Sequence, residues 1–240
     1  MATITIGGTG GIIEGNLGSA NVNVNLDPSL YFDGSTRVDM NDTDQTAPFS
    51  VSAWINFTSG EHIVNKEGSW FLYIDSSNRV RFDLVGLSPS FVRGGADKAT
   101  VGWHHVAATF DGSGNSAIYI DGVSVATQSH TGTLTQTSSD LNIGDVAAGS
   151  SSFVGYIADV KIFNDELTTT EPALLASKIQ ADCDALGVGN LLHWYKLNEG
   201  TGTNAEDYQS GGSDADGTIT NGTWKFDSYS VDVQDNSTTT

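Results

Sequence analysis

Apolar and polar residues alternate along most of the chain between Tyr31 and Phe163. In Phe49-Ser50-Val51-Ser52-Ala53-Trp54-Ile55-Asn56-Phe57 the odd positions are apolar and the even ones mostly polar. That period of two predicts a half-buried strand. Residues 70–74 and 80–85 read the same way and flank Ser76-Ser77-Asn78, a turn signal. Residues 103–110 and 117–120 follow, separated by Asp111-Gly112-Ser113-Gly114-Asn115. Asp121-Gly122 then sits between two β-forming stretches. It predicts a hairpin, because a type I′ turn needs positive φ at both central residues. Residues 141–144 and 156–163 complete the series. Short strands at regular spacing with glycine turns predict an all-β fold, an antiparallel two-sheet jelly-roll sandwich.

One stretch departs from this period. Pro172 suits a first helical turn, with Thr170 as the cap. Leu175, Ile179, Cys183 and Leu186 recur at helical spacing, and Gly187 can close the end. A single helix of about 12–15 residues is expected near 170–186, an ordinary globular length. Cys183 on its apolar stripe reads as a small buried residue, not a nucleophile. After it, residues 191–197 and 218–226 return to strand. Residues 1–29 are Gly/Asn-rich and read as an arm or weak edge strand. Residues 30–228 form the domain, and residues 229–240 read as a frayed tail.

Composition narrows the choice of function. The 240 residues suit one large β-domain. Only 16% are charged, against roughly 25% in an average soluble domain, so Ser, Thr, Asn and Gly must make much of the surface. Ten cationic residues against 29 acidic ones give a net charge of −19. That excludes nucleic-acid and anionic-membrane partners, which need clustered cations, and it suits divalent cations. The lone Cys183 forms no intrachain disulfide. The N-terminal residues Met-Ala-Thr-Ile-Thr-Ile-Gly-Gly lack the basic and apolar regions of a secretion signal. No apolar run reaches the ~18 residues of a membrane span. The sequence therefore predicts a chain made in the cytoplasm and, if exported, carried out in an assembly.

Several stretches resemble the laminin-G-like, concanavalin-A-like jelly-roll domains. They are Tyr31-Phe32-Asp33-Gly34-Ser35, Phe49 to Ile55, Gly102-Trp103-His104-His105-Val106-Ala107 with Tyr119-Ile120-Asp121-Gly122, and Gly155 to Asn164. All four stand in the family's order. A fifth, Trp194-Tyr195-Lys196-Leu197-Asn198-Glu199-Gly200-Thr201-Gly202 with Asp207 and Asp216-Gly217, resembles the family's opening but follows the domain body. A circular permutation accounts for this, since neighbouring termini tolerate it.

The resemblance brings lectins, adhesive modules and β-glucanases into view. The glucanases place two carboxylates on one strand face as Glu-x-Asp-x-x-Glu, about 5–5.5 Å apart for a retaining reaction. This sequence has no such triplet; Glu61, Glu67, Glu166, Glu171, Glu199 and Glu206 are scattered. His104 and His105 are adjacent on a strand and point to opposite faces, so they cannot share one ion. The dispersed histidines and single cysteine give no zinc pattern. The resemblance implies a calcium site using Asp207 and Asp159. The loop between Asp207 and Asp216, which contains Asp214, adds carboxylates and carbonyls of the type calcium takes. The expected metal ligands are Asp159, Asp207 and Asp216. Trp54, Trp103 and Trp194 are expected in the core, while Trp70 and Trp224 are assigned to neither core nor surface.

The expected function is a non-catalytic structural or adhesion module. A chain without a signal suits a virion surface protein of a bacteriophage, a capsid-decoration, fibre or tail component. Its partners would be other virion proteins and a cell-surface glycan, in a homo-oligomer. The alternatives are a carbohydrate-binding lectin-like module and a glycoside hydrolase on the same fold.

Overall fold

The computed structural model describes residues 28–41, 46–94, 102–146, 152–209 and 215–225. It also gives the backbone of residues 2–5, 13–17, 20–24, 226 and 230–233. The first strands are β1 (Ala2–Thr5), β2 (Ile13–Leu17), β3 (Ala20–Val24), β4 (Pro28–Asp33) and β5 (Arg37–Asp39). Then come β6 (Phe49–Ser59), β7 (His62–Lys66), β8 (Trp70–Ile74), β9 (Val80–Leu84), β10 (Leu87–Ser88) and β11 (Phe91–Gly94). The middle of the chain gives β12 (Trp103–Phe110), β13 (Asn115–Ile120), β14 (Val123–Ser129), β15 (Thr131–Gly132), β16 (Leu141–Ile143) and β17 (Val154–Phe163). Helices α1 (Glu171–Leu175) and α2 (Cys183–Leu186) precede β18 (Leu191–Tyr195), β19 (Asn204–Ala205), β20 (Gly217–Thr220), β21 (Thr223–Phe226) and β22 (Ser230–Val233).

Two antiparallel sheets make the sandwich. Sheet I runs β11-β9-β8-β7-β16-β5-β20-β19, and sheet II runs β14-β13-β12-β6-β17-β4-β21, with β18 also paired to β17. The displaced C-terminal segment is built into both layers: β18 lies on β17, β20 on β5 and β21 on β4. At the ends of the chain, β1 pairs with β22 and β2 with β3. The tail expected to fray therefore contains a strand paired to the arm.

The period of two decides which side chains meet between the layers. Phe49, Val51, Ala53, Ile55 and Phe57 of β6 are buried in the core with Leu72, Phe82, Val106, Ile118 and Ile157. Trp70 is fully buried, its ring centroid 5.3 Å from that of Phe49 and 6.2 Å from that of Phe82. Trp54, Trp103 and Trp194 are instead half-buried on the outer face of sheet II, which corrects the expected placement. Trp54 is at an even position of β6, opposite His105, and Trp103 is opposite Asn56. The Asp121-Gly122 hairpin is as expected, with φ of 51° and 77°.

The single helix expected near 170–186 is two short ones. Leu175 and Cys183 are buried, but Ile179 is exposed. Gln180 takes a φ of 59° and donates its backbone N–H to Asp159 Oδ2 at 2.8 Å, which breaks the helical path. Asp182 then caps α2 through Ala185 N, and Gly187 closes it at a φ of 71°. Thr170 stands at the cap position of α1 without a side-chain bond; Glu171 Oε2 accepts from Thr168 N and Oγ1 instead. Phe163, Leu167, Leu175, Cys183 and Val188 form a second small core. This segment, residues 164–190, lies as a cap on part of the outer face of sheet II. It reaches the β13–β14 hairpin, where a Cβ on Gly122 would come within 2.5 Å of Ala173 Cα.

Candidate functional site

Asp159 sits at a bulge of β17 where the register against β6 shifts, with a φ of 54°. Here the neighbour of β17 changes from β4 to β18. Asp accepts such a φ more readily than most side chains. Its carboxylate is 2% exposed and accepts from Lys161 Nζ, from Trp194 Nε1 at 2.6 Å and from Gln180 N at 2.8 Å. Lys161 is itself 1% exposed. Burial raises the Asp159 pKa and lowers that of Lys161, while their attraction opposes both shifts.

Asp207 accepts from His193 Nδ1 at 2.6 Å, from Trp194 N at 2.9 Å and from Gln209 N at 3.0 Å. These bonds outweigh burial and hold its pKa below the usual carboxylate range. Asp216 Oδ1 accepts from Asp207 N at 2.9 Å, and its Oδ2 accepts from Asn204 Nδ2 at 3.0 Å. Asp207 and Asp216 are thus neighbours, and Asp159 is joined to them only through Trp194.

Calcium needs six to eight oxygens. The Asp159 oxygens face a buried ammonium, an indole N–H and a peptide N–H, and the Asp207 and Asp216 carboxylates likewise accept hydrogen bonds on both oxygens. Among the described residues no group of three or more His, Cys, Asp or Glu could hold a metal ion. Residues 210–214 of the loop, with Asp214, lie outside the described residues.

His104 and His105 point to opposite faces, as β-geometry requires. His104 Nδ1 is 2.9 Å from Asp121 Oδ2 at the sheet edge. His105 is 1% exposed, its ring centroid 5.6 Å from that of Trp54. Burial, with Lys161 adding to it, pulls the His105 pKa down to about 3. Burial pushes the Cys183 thiol up to about 11, the state of an unreactive packed cysteine. Burial also raises Glu199 against backbone donors, including Glu206 N at 3.1 Å.

The outer face of sheet II carries the arrangement that single-residue reasoning misses. Its register puts Trp103 opposite Asn56, Asn56 opposite Tyr156, and Tyr156 opposite Tyr31. Thr223 of β21 extends the row, opposite Tyr31. The Trp103 and Tyr156 centroids are 6.1 Å apart, and those of Tyr156 and Tyr31 are 5.1 Å apart. All four residues from Trp103 to Tyr31 are partly exposed. The neighbouring row, with His105 and Ala158, is buried. The row could have been found by pairing outward positions of strands 31–33, 49–57, 103–110 and 156–163, but only with the strand order known.

A different cluster marks the outer face of sheet I. Arg81 makes a bidentate pair with Asp83, at 2.6 and 3.0 Å. Its guanidinium carbon lies 4.0 Å from the Phe91 ring centroid and 5.5 Å from that of Tyr73. With its fork filled and both faces near rings, Arg81 knits three strands together.

A family model described as the concanavalin A-like lectin/glucanases superfamily matches residues 32–171, more than half of the chain. The chain belongs to the concanavalin A-like lectin/glucanases superfamily. One solved structure agrees on the fold. A Bacteroides ovatus protein proposed to bind carbohydrate superposes with a TM-score of 0.67 at 19% identity, covering 88% of this chain and 63% of that one. The chain thus spans less than two thirds of that protein's length. Domain 4 of an extracellular arabinanase from Geobacillus stearothermophilus, solved with arabinotriose, gives a TM-score of 0.48 at 18% identity, covering 73% and 88%. A heptameric pentraxin from Limulus polyphemus gives 0.47 at 17% identity, covering 63% and 82%. No curated protein matches the chain. Within the superfamily's sandwich, the Trp103–Tyr31 row is an outer-face feature and not part of the core.

Proposed function

We propose that the protein is a non-catalytic, lectin-like module that binds carbohydrate. The observation that supports this most is the row of partly exposed rings on sheet II, with an amide between them. Sugar rings offer apolar faces edged by hydroxyls, and aromatic side chains beside hydrogen-bonding groups complement that pattern. The carbohydrate-binding description of the Bacteroides ovatus protein points the same way. The partners in this proposal are glycans, together with further copies of the chain in a homo-oligomer.

The full chain on a glycan array, with and without added calcium, tests the proposal. Binding to at least one glycan is expected, with no release of reducing ends from that glycan. Turnover would establish the hydrolase alternative, and Glu199, with its raised pKa, would be the first residue to replace. A calcium ion held by Asp159, Asp207 and Asp216 is also a proposal; it requires a melting temperature that rises with calcium and falls with EDTA. Placement on a bacteriophage virion, with residues 1–29 as the anchor, is proposed from the sequence alone. It requires that deletion of residues 1–29 leave a folded domain that no longer joins particles.

A further inference from the structure

The ring row says more than that a sugar binds. Four strands, β12, β6, β17 and β4, each contribute one residue at the same register. With neighbouring strands about 4.8 Å apart, the row from Trp103 to Tyr31 is about 14 Å long. On one side the next row holds Trp54, His105 and Ala158, of which His105 and Ala158 are buried and Trp54 is partly exposed; on the other side Val154 is partly exposed, with Ser59 and Asp33 exposed opposite it.

A protein partner needs about 800 Å² from each side of a stable interface. The four side chains of the row supply only part of that area, whereas a polysaccharide chain can lie along the whole of it. The polar groups sit where such a chain would need them. Asn56 carries its amide between Trp103 and Tyr156. Thr223 is exposed at the far end. Trp54 Nε1, one row along β6, is buried without a protein partner. An indole N–H so placed asks for a hydroxyl or water.

Charge decides between neutral and anionic chains. The net charge of −19 repels polyanions. Among the described residues, Lys225 Nζ lies 5.7 Å from the Tyr31 centroid at one end of the row, which does not make a polyanion track.

We propose that the Trp103–Asn56–Tyr156–Tyr31 row is a platform for a neutral, extended polysaccharide laid across the strands. This rests on the carbohydrate-binding reading and adds the site, the ligand class and the direction of the chain. None of the four residues belongs to the Asp207–Asp216 region, so binding at the row needs no calcium.

The test is calorimetry on the full chain with soluble neutral polysaccharides, xyloglucan, arabinan, β-glucan and galactomannan. Polygalacturonate serves as the anionic contrast, all in EDTA. The polymer that binds is then cut into an oligosaccharide series. Affinity is expected to rise with chain length, and the component monosaccharide to compete poorly. Trp103→Ala and Tyr156→Ala should each weaken binding about tenfold, from the 0.5–1.5 kcal/mol that a well-placed ring contact contributes. Trp103→Phe and Tyr156→Phe, which keep a ring, should stay within a few-fold of wild type. If an alanine variant fails to fold, Trp103→Gln and Tyr156→Gln, which remove the ring but keep more of the bulk, carry the test with the same expected loss. Tyr208→Ala, at an exposed ring outside the row, should bind as wild type.

Full affinity for a monosaccharide, loss of binding in EDTA, or preference for polygalacturonate would each overturn the platform. Unchanged affinity in folded Trp103→Ala and Tyr156→Ala would sink it too, leaving carbohydrate binding to be placed elsewhere. No binding of any glycan by the wild-type chain would instead sink the carbohydrate reading, and the platform with it.

Discussion

Lys161→Ala is expected to destabilise the fold by about 3–5 kcal/mol, the range for removing one partner of a buried ion pair. In a chain of this size that corresponds to a melting temperature lower by roughly 10 °C. Lys161 and Asp159 are 1% and 2% exposed, so little solvent screens them. Without the ammonium, Asp159 must stay ionised in a dry site or take up a proton. The ionised state is a buried unpaired charge, and the protonated one weakens the hold on Trp194 Nε1 and Gln180 N, the bonds that tie β18 and the cap to β17. The loss should therefore spread to the displaced C-terminal segment. Asp159→Asn in the Lys161→Ala background should recover part of the stability, because it removes the unpaired charge but keeps an acceptor. Urea unfolding of the two single variants and the double variant measures this as a double-mutant cycle. A Lys161→Ala protein as stable as wild type would show that the pair does not hold the junction.

The strands were legible in the sequence because period two and glycine turns are local signals. So was the Asp121-Gly122 hairpin, whose two residues take the positive φ that the turn demands. The displaced segment was legible through its resemblance to the family's opening strand. The family resemblance predicts Trp54, Trp103 and Trp194 inside, but period two already puts Trp54 at an even position, on the mostly polar face of residues 49–57. Asp159 shows a second limit. Its bulge and positive φ come from the switch of neighbour from β4 to β18, a tertiary event, and so does its pairing with the buried Lys161 ammonium. The helical spacing of Leu175, Ile179 and Cys183 predicts one helix, whereas the break between α1 and α2 depends on the bond from Gln180 N to Asp159, which local pattern does not encode. The ring row depends on strand order across β12, β6, β17 and β4, which no single segment encodes.

Acid should weaken the protein well before its carboxylates titrate, because His105 stays neutral in the folded state. Burial first, then repulsion from Lys161, lowers its pKa from the ordinary 6.5 to about 3. Above pH 6.5 both folded and unfolded chains carry it neutral, and it costs nothing. As the pH falls below 6.5 the unfolded chain takes up a proton that the folded chain refuses, and stability is lost down to about pH 3. The slope is up to about 1.4 kcal/mol per pH unit, so the loss at pH 5 is about 2 kcal/mol. His62 is also lowered by burial and works in the same direction. Asp159 and Glu199, both raised by burial, work in the opposite one. The contribution of His105 is therefore read as a difference: urea unfolding of wild type and His105→Gln at pH 7.5 and pH 5.0. The variant, which cannot titrate there, should lose about 2 kcal/mol less between the two conditions. Equal losses in both proteins would mean that His105 takes up its proton in the folded state as readily as in the unfolded one, and that its burial does not hold it neutral.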